Sequence, residues 1–143
     1  MGDVWKEVLA EWQGETAFIG TNPNGGSVQM GSVDGRPGIS PMEMLLLGAA
    51  GCTGVDIVNI LGKKRKKLTR FQVRVSGKRA DQHPKVYTEI EVEYILWGED
   101  LDKKSVEQAI ELSEEKYCSA SIMLSATAQI HSTYRILTPE QQL

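Results

Sequence analysis

Alternating and helically spaced apolar positions divide the chain into strands, a long helix, two more strands, a second helix and a last strand. Over residues 4–12, Val4, Trp5, Val8, Leu9 and Trp12 interleave with charges, which predicts a first strand. Residues 15–20 and 27–33 are short strand candidates, split by the turn cluster Asn22-Pro23-Asn24-Gly25-Gly26. Residues 34–39 read as a loop. In Ser40-Pro41-Met42-Glu43, Ser stands at the N-cap, Pro at N1 and Glu at N3, a capping box that opens a helix. That helix is expected to end near Gly62 as the C′ residue, ahead of a solvated basic run, Lys63 to Lys67. Residues 71–79 alternate, with Phe71, Val73 and Val75 on one side. Residues 86–97 alternate with Val86, Thr88, Ile90, Val92, Tyr94 and Leu96 opposite Glu89, Glu91 and Glu93. The segment 80–85 then connects antiparallel strands, and the acidic row can pair with Arg74, Lys78 or Lys85. Residues 102–117 predict a helix capped by Asp102, residues 119–124 a short helix, residues 126–136 a strand, and residues 138–143 a polar tail.

Met42 to Leu61 is nearly all apolar and about as long as a bilayer span, with basic residues after it. Asp56 and Asn59 lie inside the run, and a central Asp costs about 2.5–3.5 kcal/mol on insertion scales. The reading adopted is therefore a buried helix and not a membrane span. One subunit of this size has few atoms with which to surround about five to six helical turns. The pattern thus hints at a dimer whose partner covers the exposed side. The fold class is α+β: mostly antiparallel sheet around one long buried helix, in a single domain over residues 1–143.

Composition adds exclusions. The chain has 143 residues, 41% apolar and 24% charged, as in an ordinary globular protein, and a net charge of −3. No global positive field exists to hold nucleic acid. Met1 to Gly14 lacks the basic and apolar regions of a signal peptide, and Lys6 breaks the myristoylation pattern, so a reducing cytoplasmic setting is expected. Glycine-rich phosphate loops, G-x-S-x-G and H-E-x-x-H are absent from the sequence, and His83 and His131 stand apart, with no metal-ligand spacing.

The chemistry rests on two cysteines, Cys52 and Cys118, which form no C-x-x-C pair. Asp56 at i+4 and Asn59 at i+7 share the helix face of Cys52. Cys118 precedes the short helix, where backbone N–H groups lower a thiol pKa. Two readings stand at this point. Both thiols can be buried and hydrophobe-like. Alternatively, one thiolate attacks a peroxide O–O bond and the other resolves the sulfenic acid to a disulfide.

Ser40-Pro41-Met42-Glu43-Met44-Leu45-Leu46-Leu47-Gly48-Ala49-Ala50-Gly51-Cys52 resembles the central helix of the OsmC/Ohr family of organic hydroperoxide reductases, and within it the YhfA-like branch. Val55-Asp56-Ile57-Val58 and Ile60-Leu61 continue the likeness. Glu115-Lys116-Tyr117-Cys118-Ser119 resembles that family's second-cysteine motif at a fitting separation, and the element order agrees from about Val4 to Ile136. The resemblance implies an intertwined homodimer whose two central helices are buried by both subunits. It also implies thiol peroxidase chemistry on organic hydroperoxides at the subunit interface, with Cys52 peroxidatic and Cys118 resolving. It implies an external dithiol as reductant and no metal or organic cofactor.

Two positions depart from the family pattern. The family's glutamate stands ten residues before the first cysteine, where this chain has Met42. Glu43 is nine residues before Cys52, about 900° of helix, and so faces away from it; it could reach only a partner's thiol. The family's early arginine has one counterpart before Cys52, Arg36, in the loop leading to the helix. These departures keep a second reading in view: a non-catalytic dimer of the same fold that binds an apolar small molecule or serves as a thiol redox sensor.

Overall fold

The computed structural model describes residues 4–143; the part of the leader reading that falls on Met1–Asp3 lies outside them. The chain forms two compact units, one ending at Met44 and one spanning Leu45–Leu143.

The first unit is a three-stranded antiparallel sheet of β1 (Leu9–Gly14), β2 (Ala17–Thr21) and β3 (Ser27–Met30). The expected strand over 4–12 begins only at Leu9. Its partner β2 is five residues long, and the Leu9–Thr21 pair ends the ladder. Val4, Trp5 and Val8 are exposed outside it. The 22–26 cluster is the β2–β3 turn, in which the Asn22 side-chain oxygen accepts from the Asn24 and Gly26 amides at 3.1 and 2.7 Å. Gly31 has φ +71°, and a Cβ there would stand 2.0 Å from the Thr16 carbonyl oxygen, so only glycine fits.

The capping box forms as read. Ser40 N–H donates to Glu43 Oε1 at 2.8 Å, and Glu43 N–H donates to Ser40 Oγ at 3.1 Å. It opens α1 (Pro41–Lys63), which is long and apolar enough to cross a membrane by length and composition. Within the chain a single line of α1 is buried, Ala49, Thr53, Ile57 and Leu61 at i, i+4 spacing. Leu45, Leu47, Val55 and Val58 on its other faces are 49–60% exposed. The helix does not stop at Gly62. Arg65, at φ +59°, takes the left-handed C′ position, and Lys66 N–H closes the end on the Leu61 carbonyl at 2.9 Å. Nor is the basic run simply solvated. Lys66 Nζ lies 3.1 Å from Asp102 and 3.6 Å from Asp100, and Lys64 bonds Gln108.

The second unit carries β4 (Arg70–Arg79), β5 (Tyr87–Trp97) and β6 (Gln129–Leu137) in the order β4-β5-β6. β4 and β5 are antiparallel and joined through residues 80–85, whereas β6 runs parallel to β5. The parallel step requires a crossover, supplied by α2 (Lys103–Leu112), one π turn (Ser113–Tyr117) and α3 (Ser119–Leu124). The helix expected over 102–117 therefore loses its regular pitch after Leu112. β5 is the core strand: Ile90, Val92, Tyr94 and Leu96 are buried as read, and so are Ile95 and Trp97 on the opposite side. Of the acidic row, Glu89 meets Lys78 at 3.7 Å, whereas Glu93 meets Arg135 of β6 at 3.5 Å, a partner that only the parallel pairing reveals.

Asp102 caps α2 by accepting from Ser105 N–H at 3.0 Å. That bond, with Lys66, holds its carboxyl far below its ordinary value of 3.8. The lowered value makes a stabilising contribution that is present above pH 3.8 and is lost as pH falls through the folded-state value. Asn at this position keeps a cap acceptor but loses the charge. Urea unfolding should therefore find Asp102→Asn less stable than the parent at neutral pH, with the gap shrinking as pH falls below 3.8.

Candidate functional site

The site is built on two adjoining lines of α1. On the buried line, Thr53 brings a hydroxyl in among the apolar residues Ala49, Ile57 and Leu61. Hydroxyls buried without partners cost free energy, and Thr53 finds two: Ser113 Oγ at 2.7 Å and Tyr94 OH at 3.1 Å. Ser113 in turn donates to Asp56 Oδ2 at 2.9 Å, and Tyr94 donates to Glu114 Oε2 at 3.0 Å. Ser132 on β6 donates to the other Glu114 oxygen at 2.8 Å. A row of three hydroxyls thus runs between two carboxylates. Ser113 and Tyr94 each spend their proton on a carboxylate, so Thr53 has one proton for two neighbours.

On the next line of α1, Cys52 and Asp56 stand at i and i+4, both half-buried. Cys118 arrives from the crossover. The π turn closes with Cys118 N–H on the Ser113 carbonyl at 2.6 Å, so the turn that holds Ser113 against Thr53 also delivers Cys118. Cys118 is fully buried. Its Sγ caps α3, accepting from Ser121 N–H at 3.3 Å and lying 3.0 Å from Ser121 Oγ. Cys52 Sγ, an Asp56 carboxylate oxygen and Cys118 Sγ all lie within 4.8 Å of one another. Both cysteines are free thiols.

The expectation that the helix start lowers the Cys118 pKa is corrected. Burial raises it, the Ser121 bonds pull it down only in part, and the neighbouring Cys52 raises it further. Tyr94 is likewise pushed well above its ordinary 10.0, chiefly by burial, against the Thr53 bond and with help from the Glu114 charge.

The other residues singled out in the sequence are placed as follows. Asn59 is exposed and, with Asp56, Lys63, Lys64 and Tyr117, lines a shallow cleft outside the thiols. Glu43 is exposed in the first turn of α1, where the Ser40 amide and hydroxyl hold its carboxyl below the ordinary range. Arg36 is exposed in a tight turn closed by paired backbone bonds with Val33. Both belong to the first compact unit, while Cys52, Asp56 and Cys118 belong to the second. Sequence reasoning missed Thr53, Ser113 and Glu114 as site members. The signal for Thr53 was present: it falls at i+4 from Ala49 and at i−4 from Ile57, on the buried line.

The OsmC-like protein family model matches residues 33–133, and the chain belongs to that family. It is 34% identical to Protein YhfA of Escherichia coli K12 over 92% of this chain and 98% of that one. A crystal structure of a hypothetical protein from Aquifex aeolicus superposes with a TM-score of 0.85, at 35% identity over 96% of this chain and all of the other. The organic hydroperoxide resistance protein OhrB of Bacillus subtilis shares the fold, with a TM-score of 0.62 and 16% identity over 92% of this chain and 98% of its own.

The raised Tyr94 value has a pH consequence. A phenol whose folded pKa exceeds its unfolded value stabilises fully below pH 10.0, and that stabilisation is lost as pH rises through the folded value. Above pH 10.0 the parent should therefore lose stability more steeply than Tyr94→Phe in urea unfolding.

Proposed function

We propose that this chain is a two-cysteine thiol peroxidase for organic hydroperoxides, working as a homodimer in a reducing cytoplasm within the response to oxidative stress. The observation that carries the reading is the pairing of a half-buried Cys52 with a fully buried Cys118 within 4.8 Å, from elements distant in sequence. The Cys52 thiolate attacks the terminal oxygen of ROOH. The O–O bond breaks, the alkoxide takes a proton and leaves as ROH, and Cys52 becomes a sulfenic acid. Cys118 loses its proton and attacks that sulfur; water leaves and the disulfide forms. An external dithiol then supplies two electrons and two protons. The more exposed sulfur meets the peroxide, and the buried one, held by Ser121, waits as the resolving thiol. The cycle itself calls for no metal or organic cofactor.

In this reading each chain folds as a single OsmC-like domain, and the exposed faces of α1 with Leu45, Leu47, Val55 and Val58 are covered by the partner. Glu43 and Arg36, both exposed, are then contributed to the partner's thiol pair, where the guanidinium orients the carboxylate and favours the thiolate. One observation favours the non-catalytic alternative. The Glu43 carboxylate is already committed to the Ser40 cap, so a dimer that binds an apolar molecule or senses peroxide stoichiometrically would leave it undisturbed.

Two experiments test this. Fully reduced protein receives about one equivalent of cumene hydroperoxide per chain, free thiols are counted, and excess dithiol is then added while peroxide is followed. The peroxidase reading expects both thiols to vanish together, turnover over many cycles, loss of turnover in Cys52→Ser, and a trapped sulfenic acid in Cys118→Ser. Retained turnover in Cys52→Ser sinks it, and oxidation that stops after one equivalent selects the sensor. Light scattering is expected to return twice the 15.8 kDa chain mass, falling to the single mass in Val55→Asp; a parent at 15.8 kDa rejects the dimer.

A further inference from the structure

We propose that Cys52, Asp56 and Cys118 form a three-ligand site for a thiophilic divalent cation of the Zn²⁺ class, and that its occupation and oxidation of the thiols exclude each other. Binding of the ion does not depend on the peroxidase reading.

The donor set selects the metal. Two thiolates and a carboxylate suit a borderline-soft ion such as Zn²⁺ and not Ca²⁺ or Mg²⁺, which prefer oxygen throughout. The spacing is close to what such an ion needs. With Zn–S near 2.3 Å and Zn–O near 2.0 Å, tetrahedral ligand atoms lie about 3.5–3.8 Å apart. Here all three lie within 4.8 Å of one another, so side-chain rotation closes the set. Cys52 and Asp56 are fixed at i and i+4 on a continuous helix, and Cys118 is fixed by the π turn.

The ligands are also held from behind, as metal ligands usually are. Ser113 Oγ donates to Asp56 Oδ2 at 2.9 Å, which leaves the other carboxylate oxygen for the ion. Ser121 N–H points at Cys118 Sγ, orienting its lone pairs. Asp56 also lines the solvent-facing cleft with Asn59, Lys63 and Lys64, so one of the three ligands borders open solvent. Once both thiols ionise, three anionic groups this close repel one another, and a divalent cation offsets two of the three charges.

Binding converts both thiols to thiolates and releases two protons per ion. Conversely, two-electron oxidation by an organic hydroperoxide removes two of the three ligands. The two bound thiolates, ROOH and two protons give the disulfide, ROH and water, and the cation is released. Peroxide would therefore expel the metal, and the metal would shield the thiols.

The test uses the full chain, reduced and then freed of small thiols and metal. Zn²⁺ is titrated against a chromophoric chelator, and Co²⁺ serves as the spectroscopic probe. One ion per chain is expected, with two protons released, a sulfur-to-cobalt charge-transfer band, and both thiols shielded from a disulfide reagent. Cys52→Ser should weaken binding and lower the band to no more than the share of the Cys118 sulfur. Asp56→Asn, shown folded by circular dichroism, should weaken Zn²⁺ binding at least about tenfold. One equivalent of hydroperoxide should release the ion. A cobalt spectrum without sulfur charge transfer, equal affinity in Asp56→Asn and the parent, or equal binding by the disulfide form overturns the proposal. None of these readouts requires turnover, so their failure is distinct from failure of the peroxidase reading.

Discussion

Thr53 puts a hydroxyl into the one line of α1 that the sheet buries, and the rest of the site follows from satisfying it. Its neighbours on that line, Ala49, Ile57 and Leu61, are apolar and buried and need no polar partner. The hydroxyl needs partners, and the nearest polar atoms are on β5 and on the turn that ends α2. Holding Ser113 at 2.7 Å from Thr53 fixes the start of the π turn, and the turn's own closing bond fixes Cys118. A buried polar contact thus sets the separation of two sulfurs that it does not itself touch.

Topology contributes the other half. A β5–β6 hairpin could have been made with a few residues and would have carried no helices. The parallel pairing obliges the chain to cross over, and the crossover is where α2, the π turn and α3 lie. β6 also returns Ser132 and Tyr134 to the helices, where they donate to Glu114 and Glu107 at 2.8 and 3.1 Å. The strand that completes the sheet therefore steadies the segment that presents Cys118.

Much of this was legible in the sequence, for identifiable reasons. Local rules act within a few residues, so the capping box at Ser40 to Glu43, the Asp102 cap, the turn at 22–26 and the alternation of β5 could be read directly. Boundaries set by a partner elsewhere could not be. β1 starts at Leu9 because β2 runs out, and the basic run after α1 is not simply solvated because Lys66 meets Asp100 and Asp102. The two cysteines were visible as candidates, but their closeness depends on a parallel crossover that no spacing encodes. The sign of the Cys118 shift was misread for the same reason: backbone amides at a helix start are a local feature, whereas burial is a property of the whole unit. Glu43 shows the reverse case, since its capping role was fully local and is what the structure displays.

The single hydrogen on Thr53 resembles a hydrogen in ice, shared between two oxygens that would each accept it. While Ser113 serves Asp56 and Tyr94 serves Glu114, Thr53 has one hydrogen for its contacts of 2.7 Å to Ser113 and 3.1 Å to Tyr94. A change at Asp56 that frees the Ser113 hydrogen lets each hydroxyl turn in succession, and Thr53 then faces Tyr94. No heavy atom need move. The polarity of the row reverses by rotation about C–O bonds alone, and the reversal ends at Tyr94, beside Glu114 and Ser132. The row therefore links the carboxylates of Asp56 and Glu114 through three rotatable hydroxyls alone.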